Sequence, residues 1–174
     1  MGFIIGVLFV WLFPSGVEVI ERVRTEVVER FKVLVGGTAT LEYPKPVTPP
    51  PPGMAWVKAL TTGYCACEIC CPGTSDNKTS VNRDVREHPF GIASDPKLVK
   101  PWTALDIPGY GHAIVDDTGG AMRQAGKAGI VHFDLRFHDH QTARTWGRRW
   151  IWIAVPADAP AAKLPEPETG KKKK

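Results

Sequence analysis

The prolines of this chain limit where a packed core can form. Six of the 16 prolines lie between residues 44 and 52, and four more follow residue 155. Proline lacks the amide hydrogen that helices and sheets need, so such clusters are typical of extended linkers. They leave a body, residues 54–156, of about 100 residues, which is enough for one core. We therefore expect one domain over 54–156, after a Pro-rich linker (44–53) and before a disordered, lysine-ended tail (157–174).

The charge of the chain argues against a nucleic-acid partner. The formal net charge is +4, from 22 basic and 18 acidic residues. The body holds twelve basic and ten acidic side chains, and the tail five and three. Nucleic-acid-binding proteins carry their positive charge as a patch on a folded face. A nearly balanced body excludes that class.

The N-terminus predicts export. Residues 3–13 are eleven consecutive apolar residues without a charge. A transmembrane helix needs about twenty, whereas the apolar region of a signal peptide needs roughly 7–15. We interpret residues 1–16 as a signal peptide or short signal anchor and residues 17–43 as a stalk or spacer. The alternative is that the apolar run is a buried strand or helix of the core.

The body reads as a small all-β domain. Short apolar runs separated by Gly and Pro turn signals predict six strands, over 56–60, 91–93, 104–107, 113–115, 130–133 and 150–155. Only residues 141–146 resemble a helix, with His138 or Asp139 as its N-cap. Six short strands and one helix in a body of this size favour a closed barrel.

Four cysteines crowd into one short segment: Cys65, Cys67, Cys70 and Cys71. In an exported protein, local disulfides are the leading interpretation. A metal site and free thiols are the alternatives, and adjacent cysteines such as Cys70 and Cys71 suit a single tetrahedral ion poorly. The sequence assigns no residue to a metal and predicts no cofactor.

Aspartates follow several of the predicted strands: Asp95, Asp116, Asp117 and Asp134. A carboxylate at the rim of a barrel is where burial and like-charged neighbours raise a pKa. Glycoside cleavage uses such a group, first as an acid and then as a base. The alternative is that these aspartates only cap turns, as Asp often does.

The order of motifs resembles that of the 3D domain, a family named for three aspartates. It is related to the barrel of the membrane-bound lytic transglycosylase MltA and includes stationary-phase and resuscitation-factor-like cell-wall proteins. Six blocks in order carry the resemblance, over about residues 57–155: GYCACEICC (63–71), DP (95–96), IPGYG (107–111), VDDTGGA (115–121), FDLRF (133–137) and ARTWGRR (143–149). The resemblance implies a six-stranded double-psi β-barrel.

It also implies a peptidoglycan lytic transglycosylase, which cleaves the MurNAc–GlcNAc β-1,4 bond and leaves 1,6-anhydro-MurNAc ends. The family aspartates map to Asp95, Asp117 and Asp134. Asp134 would be the acid/base, Asp117 would share a proton with it, and Asp95 would complete the acidic cluster or bind sugar. Matching positions near the substrate groove are Tyr64, Thr79, Thr118 and Gly119.

One departure from the family concerns the loop between the last two aspartates. Sixteen residues separate Asp117 from Asp134, where the family has about ten. A non-catalytic barrel that binds peptidoglycan or another polysaccharide is therefore the alternative function. We interpret His132 and His138 as core or solvent-facing residues rather than ligands. In either function, the expected partner is the glycan strand and the expected location is the cell envelope.

Overall fold

A computed structural model describes residues 41–73 and 76–167 of the chain. The predicted signal segment and most of the predicted stalk lie outside these residues. The described elements, in chain order, are seven strands, two α-helices and a 3-10 helix. They are β1 (Leu41–Glu42), β2 (Met54–Cys65), β3 (Gly91–Ala93), β4 (Ala104–Ile107), β5 (Gly111–Asp117), α1 (Gly120–Lys127), β6 (His132–Phe137), α2 (His140–Trp146), β7 (Arg149–Pro156) and the 3-10 helix Pro160–Lys163.

The strands form one mixed sheet in the order β1-β7-β2-β6-β3-β5-β4. The long strand β2 lies between β7, to which it is antiparallel, and β6, to which it is parallel. At the far end β4 also contacts β7, so the sheet curls like half a barrel. The predicted mostly β, barrel-like fold is therefore confirmed. The strand count differs, because the short pair of β1 with β7 adds a seventh strand.

The core fills the inside of this curled sheet. Its fully buried residues are β-branched, aliphatic and aromatic side chains from β2 to β7, such as Ile92, Val115, Phe133, Leu135 and Ile153. Residues of this kind fit a pleated surface with one buried face. Burial on alternate residues of β4 (exposed, buried, exposed, buried) shows the period of two that a half-buried strand requires.

Helix α2 confirms the helix predicted over 141–146. It begins at His140, and the side chain of Asp139 caps it by accepting a hydrogen bond from the amide of Thr142 at 2.8 Å. It ends at Trp146 and is followed by Gly147, whose φ of 65° suits a residue without a Cβ atom. Ala143 and Trp146 are its buried residues. This short helix therefore packs one face on the sheet.

Helix α1 was not predicted from the sequence. Its residues include Gly120 and Gly126, and glycine costs about 1 kcal/mol relative to alanine within a helix. Gly126 has a packing role, because a Cβ atom there would lie 2.2 Å from the Asp95 Oδ2. The helix occupies half of the long segment between Asp117 and Asp134.

The predicted domain boundaries stay predictions, but several contacts involve the flanking segments. In the predicted linker, the Thr48 carbonyl accepts a hydrogen bond from the Trp56 indole at 2.9 Å. In the predicted tail, the 3-10 helix buries Ala161 in the core, and Glu166 pairs with Lys45 at 2.6 Å. Described residues of both segments therefore pack on the body. Across residues 41–73 and 76–167, no helix combines the length and apolar character needed to cross a bilayer.

Candidate functional site

The pairing of four strands brings two of the predicted catalytic aspartates into one row. Asp134 on β6 pairs with Thr62 on β2 at one side and with Ala93 on β3 at the other. Ala93 in turn pairs with Asp117 at the end of β5. The register of the sheet therefore places Thr62, Asp134, Ala93 and Asp117 side by side. We call Asp134 and Asp117 the acid row.

Asp134 has the environment of a carboxyl group that can hold a proton near neutral pH. Its side chain is half-buried, and its pKa is raised from 3.8 to about 6, chiefly by burial. The negative charge of Asp117 contributes to this rise, while the hydrogen bond from the Thr62 hydroxyl to the Asp134 Oδ1, at 2.7 Å, opposes it. No Lys or Arg compensates the charge in these contacts. A carboxyl group with this pKa can both donate and accept a proton.

His132 connects to the same carboxyl group through Thr62. The His132 Nε2 lies 2.9 Å from the Thr62 hydroxyl oxygen, and the ring also hydrogen-bonds to the backbone of Ala121. Burial and the positive charge of Arg148 lower the His132 pKa to about 4, so the ring is neutral at pH 7. A hydroxyl has one hydrogen to donate. Thr62 can therefore donate to ionised Asp134, or donate to His132 while accepting from protonated Asp134.

Asp117 is held by three donors. The Tyr64 hydroxyl donates to its Oδ2 at 2.8 Å, and the amides of Ser80 and Thr118 donate to its Oδ1 at 3.0 and 2.8 Å. Three donors and no acceptor suit a carboxylate. The hydrogen bond of Asp134 runs to Thr62 and not to Asp117, so the two members of the acid row interact through charge rather than through a shared hydrogen.

Behind the acid row lies a buried ion pair that the sequence analysis did not identify. Asp116 and Arg136 are 0% and 1% exposed, and their two hydrogen bonds measure 2.9 and 2.6 Å. Arg83 adds a second cation to Asp116 at 3.1 Å. The Tyr64 hydroxyl, which donates to Asp117, accepts from Arg136 at 3.2 Å. Tyr64 thus joins the ion pair to the acid row, and burial raises its own pKa well above 10.

Gly91 makes room for the ion pair. A Cβ atom at this position would lie 2.2 Å from Nη2 of Arg136 and 2.4 Å from the Asp116 Oδ1. Real Cβ atoms do not approach other atoms so closely. The guanidinium and carboxylate therefore pass over the bare backbone of β3, which only glycine allows.

Asp95 has a different environment from the other two predicted catalytic aspartates. It is 6% exposed, and its Oδ1 accepts a hydrogen bond from the amide of Lys97 at 3.0 Å. Its carbonyl accepts from the amides of Leu98 and Val99. The other carboxylate oxygen faces Gly126 of α1. These contacts make Asp95 the cap of a turn against which α1 packs.

The remaining predicted residues lie around Asp117. Thr79 is 6% exposed, and its hydroxyl accepts a hydrogen bond from the amide of Arg83 at 3.1 Å, so it shapes the loop that carries Ser80. Thr118 donates its amide to Asp117, and its hydroxyl accepts from Arg123 at 3.1 Å. Gly119 is the N-cap of α1, with the methyl group of Met122 close to its backbone. These residues hold Asp117 in place.

The four cysteines are all free thiols in the structure, so the predicted local disulfides are not formed. Three sulfurs instead cluster around His140, at the start of α2: those of Cys65, Cys67 and Cys70. The fourth, on Cys71, faces the Cys65 carbonyl at 3.5 Å. Burial raises the pKa of Cys71, and the charges of Asp117 and Asp134 raise it further. Cys71 therefore lies between the cysteine cluster and the acid row.

A cleft of about 360 Å³ adjoins the cysteine cluster rather than the acid row. Its lining includes Cys65, Cys67, His140, Arg86 and Arg136. Neither Asp117 nor Asp134 lines it. The acid row therefore lies outside this cleft, which is a separate feature beside the cysteines.

Comparison with known proteins finds a distant relative whose name refers to the cell wall. No family model matches it. Among curated proteins, it is similar to the "Putative cell wall shaping protein YabE" of Bacillus subtilis (strain 168), with 28% identity over 99 residues. The aligned region covers 56% of this chain and 23% of the Bacillus protein. The chain is thus a distant homologue of part of a longer protein whose name refers to the cell wall.

Four residues of the site were missed or given no role in the sequence analysis: Thr62, Asp116, Arg136 and His140. Thr62 and Arg136 lie beyond the ends of the strands predicted over 56–60 and 130–133, and only the sheet order β2-β6-β3-β5 gives them a role. Asp116 was noted as a strand-end aspartate, but its burial was not evident. A cluster of three cysteines was a signal to search for a distant histidine, yet nothing in the spacing selects His140.

Proposed function

We propose that the described body is a 3D-domain lytic transglycosylase that acts on peptidoglycan glycan strands. The observation that carries this proposal is Asp134, a half-buried carboxyl group with a pKa of about 6 beside a second carboxylate. Distant homology to a cell wall shaping protein supports the choice of peptidoglycan as substrate. The six sequence blocks of the 3D domain support the choice of reaction.

In the proposed reaction, protonated Asp134 donates its hydrogen to the oxygen of the MurNAc–GlcNAc bond as the bond from that oxygen to C1 breaks. The resulting carboxylate takes the hydrogen of the MurNAc O6 hydroxyl, and O6 bonds to C1. The products are a free GlcNAc hydroxyl and a 1,6-anhydro ring, and no water is consumed. Asp134 ends in the protonated form in which it began, as an acid/base catalyst must.

Thr62 and neutral His132 support both forms of Asp134. When Asp134 is protonated, it donates to the Thr62 hydroxyl, and that hydroxyl donates to the His132 Nε2. When Asp134 is ionised, the Thr62 hydroxyl turns to donate to it. The hydrogen-bond distances of 2.7 and 2.9 Å allow both arrangements. We therefore assign Thr62 a positioning role.

Asp117 is proposed as the fixed negative charge near the sugar ring. Bond cleavage leaves positive character at C1, which an anion held by Tyr64, Ser80 and Thr118 would stabilise. Asp95 is proposed as a positioning residue, since its contacts are with its own turn and with Gly126. Thr79, Thr118 and Gly119 would shape the groove through the loops on either side of Asp117.

The proposed location follows from the proposed substrate. Peptidoglycan lies outside the cytoplasmic membrane, so the enzyme would act in the cell envelope. Residues 1–16 would direct export or tether the chain to the membrane, and the Pro-rich segment 44–53 would serve as a spacer.

The test is digestion of purified sacculi with the full chain, followed by mass spectrometry of the released muropeptides. We expect 1,6-anhydro products from the wild-type protein and a loss of rate of about 10²–10⁴-fold in Asp134→Asn, the usual range for removing an acid/base group. Asp106→Asn is the matched control, because Asp106 is an exposed aspartate on β4. That variant should retain full activity.

Two outcomes would contradict the proposal in different ways. Binding to sacculi without any anhydro product would favour the alternative function, a glycan-binding barrel. Anhydro products at an unchanged rate in Asp134→Asn would leave the reaction in place and show that the acid/base is another residue.

A further inference from the structure

Four potential metal ligands converge at the end of β2. They are the sulfurs of Cys65, Cys67 and Cys70 and the Nδ1 of His140, and all lie within 4.8 Å of one another. The cysteines come from one short segment, whereas His140 comes from the first turn of α2. Three thiols and an imidazole are the donor set of a common structural zinc site. A distant side chain that met the cysteines by chance could be of any type, whereas His140 is of a type that binds metals.

Four of the five distances below lie within about 0.3 Å of those around one tetrahedral ion, and the fifth, between the sulfurs of Cys65 and Cys67, is about 0.7 Å shorter. With Zn–S bonds of about 2.3 Å and Zn–N bonds of about 2.0–2.1 Å, tetrahedral geometry places two sulfurs about 3.8 Å apart and sulfur about 3.6 Å from nitrogen. The Cys65 sulfur lies 3.1 Å from that of Cys67 and 3.6 Å from that of Cys70. The His140 Nδ1 lies 3.9, 3.6 and 3.4 Å from the sulfurs of Cys65, Cys67 and Cys70.

The local backbone holds this arrangement. The Cys67 carbonyl accepts hydrogen bonds from the amides of Cys70 and Cys71 at 3.1 and 2.8 Å, which forms a tight turn. Within that turn, the backbone of Ile69 and Cys70 also hydrogen-bonds to the Cys67 sulfur. Such amides stabilise a thiolate, the form in which cysteine binds metals. The turn therefore presents Cys67 and Cys70 to the same point in space.

We propose that Cys65, Cys67, Cys70 and His140 bind one zinc ion. Four protein ligands leave no open position, which is the mark of a structural rather than a catalytic site. Soft thiolates with an imidazole select zinc over magnesium or calcium. An iron–sulfur cluster spreads its ligands over two or more irons, whereas these ligand atoms surround a single point.

The ion would fasten the segment 65–71 to the start of α2. Cys71 takes no part, because its sulfur faces the Cys65 carbonyl. The segment ends beside the acid row, so the ion would also hold that loop next to Asp117 and Asp134. This site assigns metal ligands where the sequence analysis assigned none, and its test is independent of glycan cleavage.

The test uses the full chain purified without chelator. Elemental analysis should find about one zinc per chain. After removal of the metal under reducing conditions, titration with Co²⁺ should give the intense visible absorption of tetrahedral thiolate coordination, and added Zn²⁺ should abolish it. The cobalt spectrum reports on the wild-type protein, so it does not depend on whether any variant folds.

Neighbouring residues provide matched controls. We expect Cys70→Ser and His140→Gln to lose the bound zinc and the tetrahedral cobalt spectrum. Cys71→Ser and His138→Gln should keep both, since Cys71 lies outside the cluster and His138 is exposed and pairs with Asp139. Equal losses in ligand and control variants would overturn the assignment.

Two further results would also overturn it. One is a reduced wild-type protein that holds no zinc and gives no tetrahedral cobalt spectrum. The other is a protein that, isolated without reductant, has a mass lower by two hydrogens per bond for one or two disulfides. The second result would restore the disulfide interpretation of these cysteines.

Discussion

Two carboxylates that are adjacent in sequence, Asp116 and Asp117, have opposite environments. Asp116 is fully buried and pairs with Arg136 and Arg83. Asp117 is half-buried, receives hydrogen bonds from a tyrosine and two amides, and lies in the row of Asp134. Within residues 41–73 and 76–167, no Lys or Arg pairs with Asp134. The two pairs, Asp116–Arg136 and Asp117–Asp134, come from the same two strands, β5 and β6.

The difference between the two pairs shows that one sheet can hold both a buried ion pair and a carboxyl group with a raised pKa. The buried carboxylate of Asp116 has its charge compensated by two arginines. A buried carboxyl group without a cation holds its proton more tightly, as the raised pKa of Asp134 indicates. Because side chains on a strand alternate between its faces, neighbouring residues of β5 serve both purposes.

The largest effect is expected from removing the cation of the buried pair Asp116–Arg136. Arg136→Met leaves Asp116 buried with one partner at 3.1 Å instead of two. We expect the free energy of unfolding to fall by about 3–5 kcal/mol, the usual cost of a buried charge stripped of its main partner. Urea denaturation measures it. Arg144→Met, at an exposed position of α2, should change stability by less than about 0.5 kcal/mol, and a similar small loss for Arg136→Met would refute the assignment.

The next variant removes the hydrogen bonds that connect the two pairs. Tyr64→Phe removes the hydroxyl that donates to Asp117 and accepts from Arg136. Hydrogen bonds to charged groups contribute about 1.5–3 kcal/mol, so we expect a loss of stability in that range, measured by urea denaturation. If Tyr64 is only a spacer between the pairs, the aromatic ring alone will suffice and the loss will be negligible.

Asp134→Asn tests the raised pKa of Asp134 through the pH dependence of stability. The folded pKa of about 6 exceeds the usual 3.8, so the folded state binds more protons than the unfolded state between these values. The stability that Asp134 contributes is therefore complete below about pH 4 and is lost as pH rises through 6. Relative to wild type, the stability of Asp134→Asn should rise by about 2–2.5 kcal/mol between pH 4 and pH 7. A constant difference between the two proteins across this range would mean that the pKa is not raised.

His132 changes stability in the opposite direction over part of the same range. Its pKa of about 4 lies below the usual 6.5, so its contribution is lost as pH falls from 6.5 to 4. Both proteins in the Asp134 experiment carry His132. Comparing wild type with the variant at each pH removes this effect.

The smallest effect is expected at Thr62. Its hydrogen bond opposes the rise in the Asp134 pKa, so Thr62→Val should raise that pKa further. In the proposed reaction Asp134 acts first as an acid, and activity should fall as pH rises through the pKa. The falling limb of the pH–rate profile should therefore move to higher pH in Thr62→Val and stay in place in Thr62→Ser. A limb that moves equally in both variants would show that the hydroxyl is not the cause.

Much of the fold could be predicted from the chain because its signals are local. The Gly and Pro turns bracket strands that the structure contains, and Asp139 caps the helix predicted over 141–146. Helix α1 could not be predicted, since Gly126 disfavours a helix until its contact with Asp95 is known. The strand β1 was missed for a similar reason, as its two residues form a strand only by pairing with β7.

The site was predictable in its members but not in their partners. The motif order selected Asp117 and Asp134, and the register of β2, β6, β3 and β5 brings them into one row. Asp95 lies outside the paired residues of these strands and contacts its own turn and Gly126 instead. No local pattern could assign Arg136 to Asp116 or His140 to the cysteines, because those contacts join residues 20 and 70 positions apart.

The chain by itself determined a proline-bounded β-rich body, a segment dense in cysteines and a set of strand-end aspartates. Those features depend on backbone geometry and on the spacing of residues within one element. Only the tertiary structure decided which aspartate is neutralised and which keeps a proton near neutral pH. It also decided that three of the thiols gather around one imidazole. Charge compensation and metal geometry depend on distances in space, which strand pairing sets and sequence separation does not.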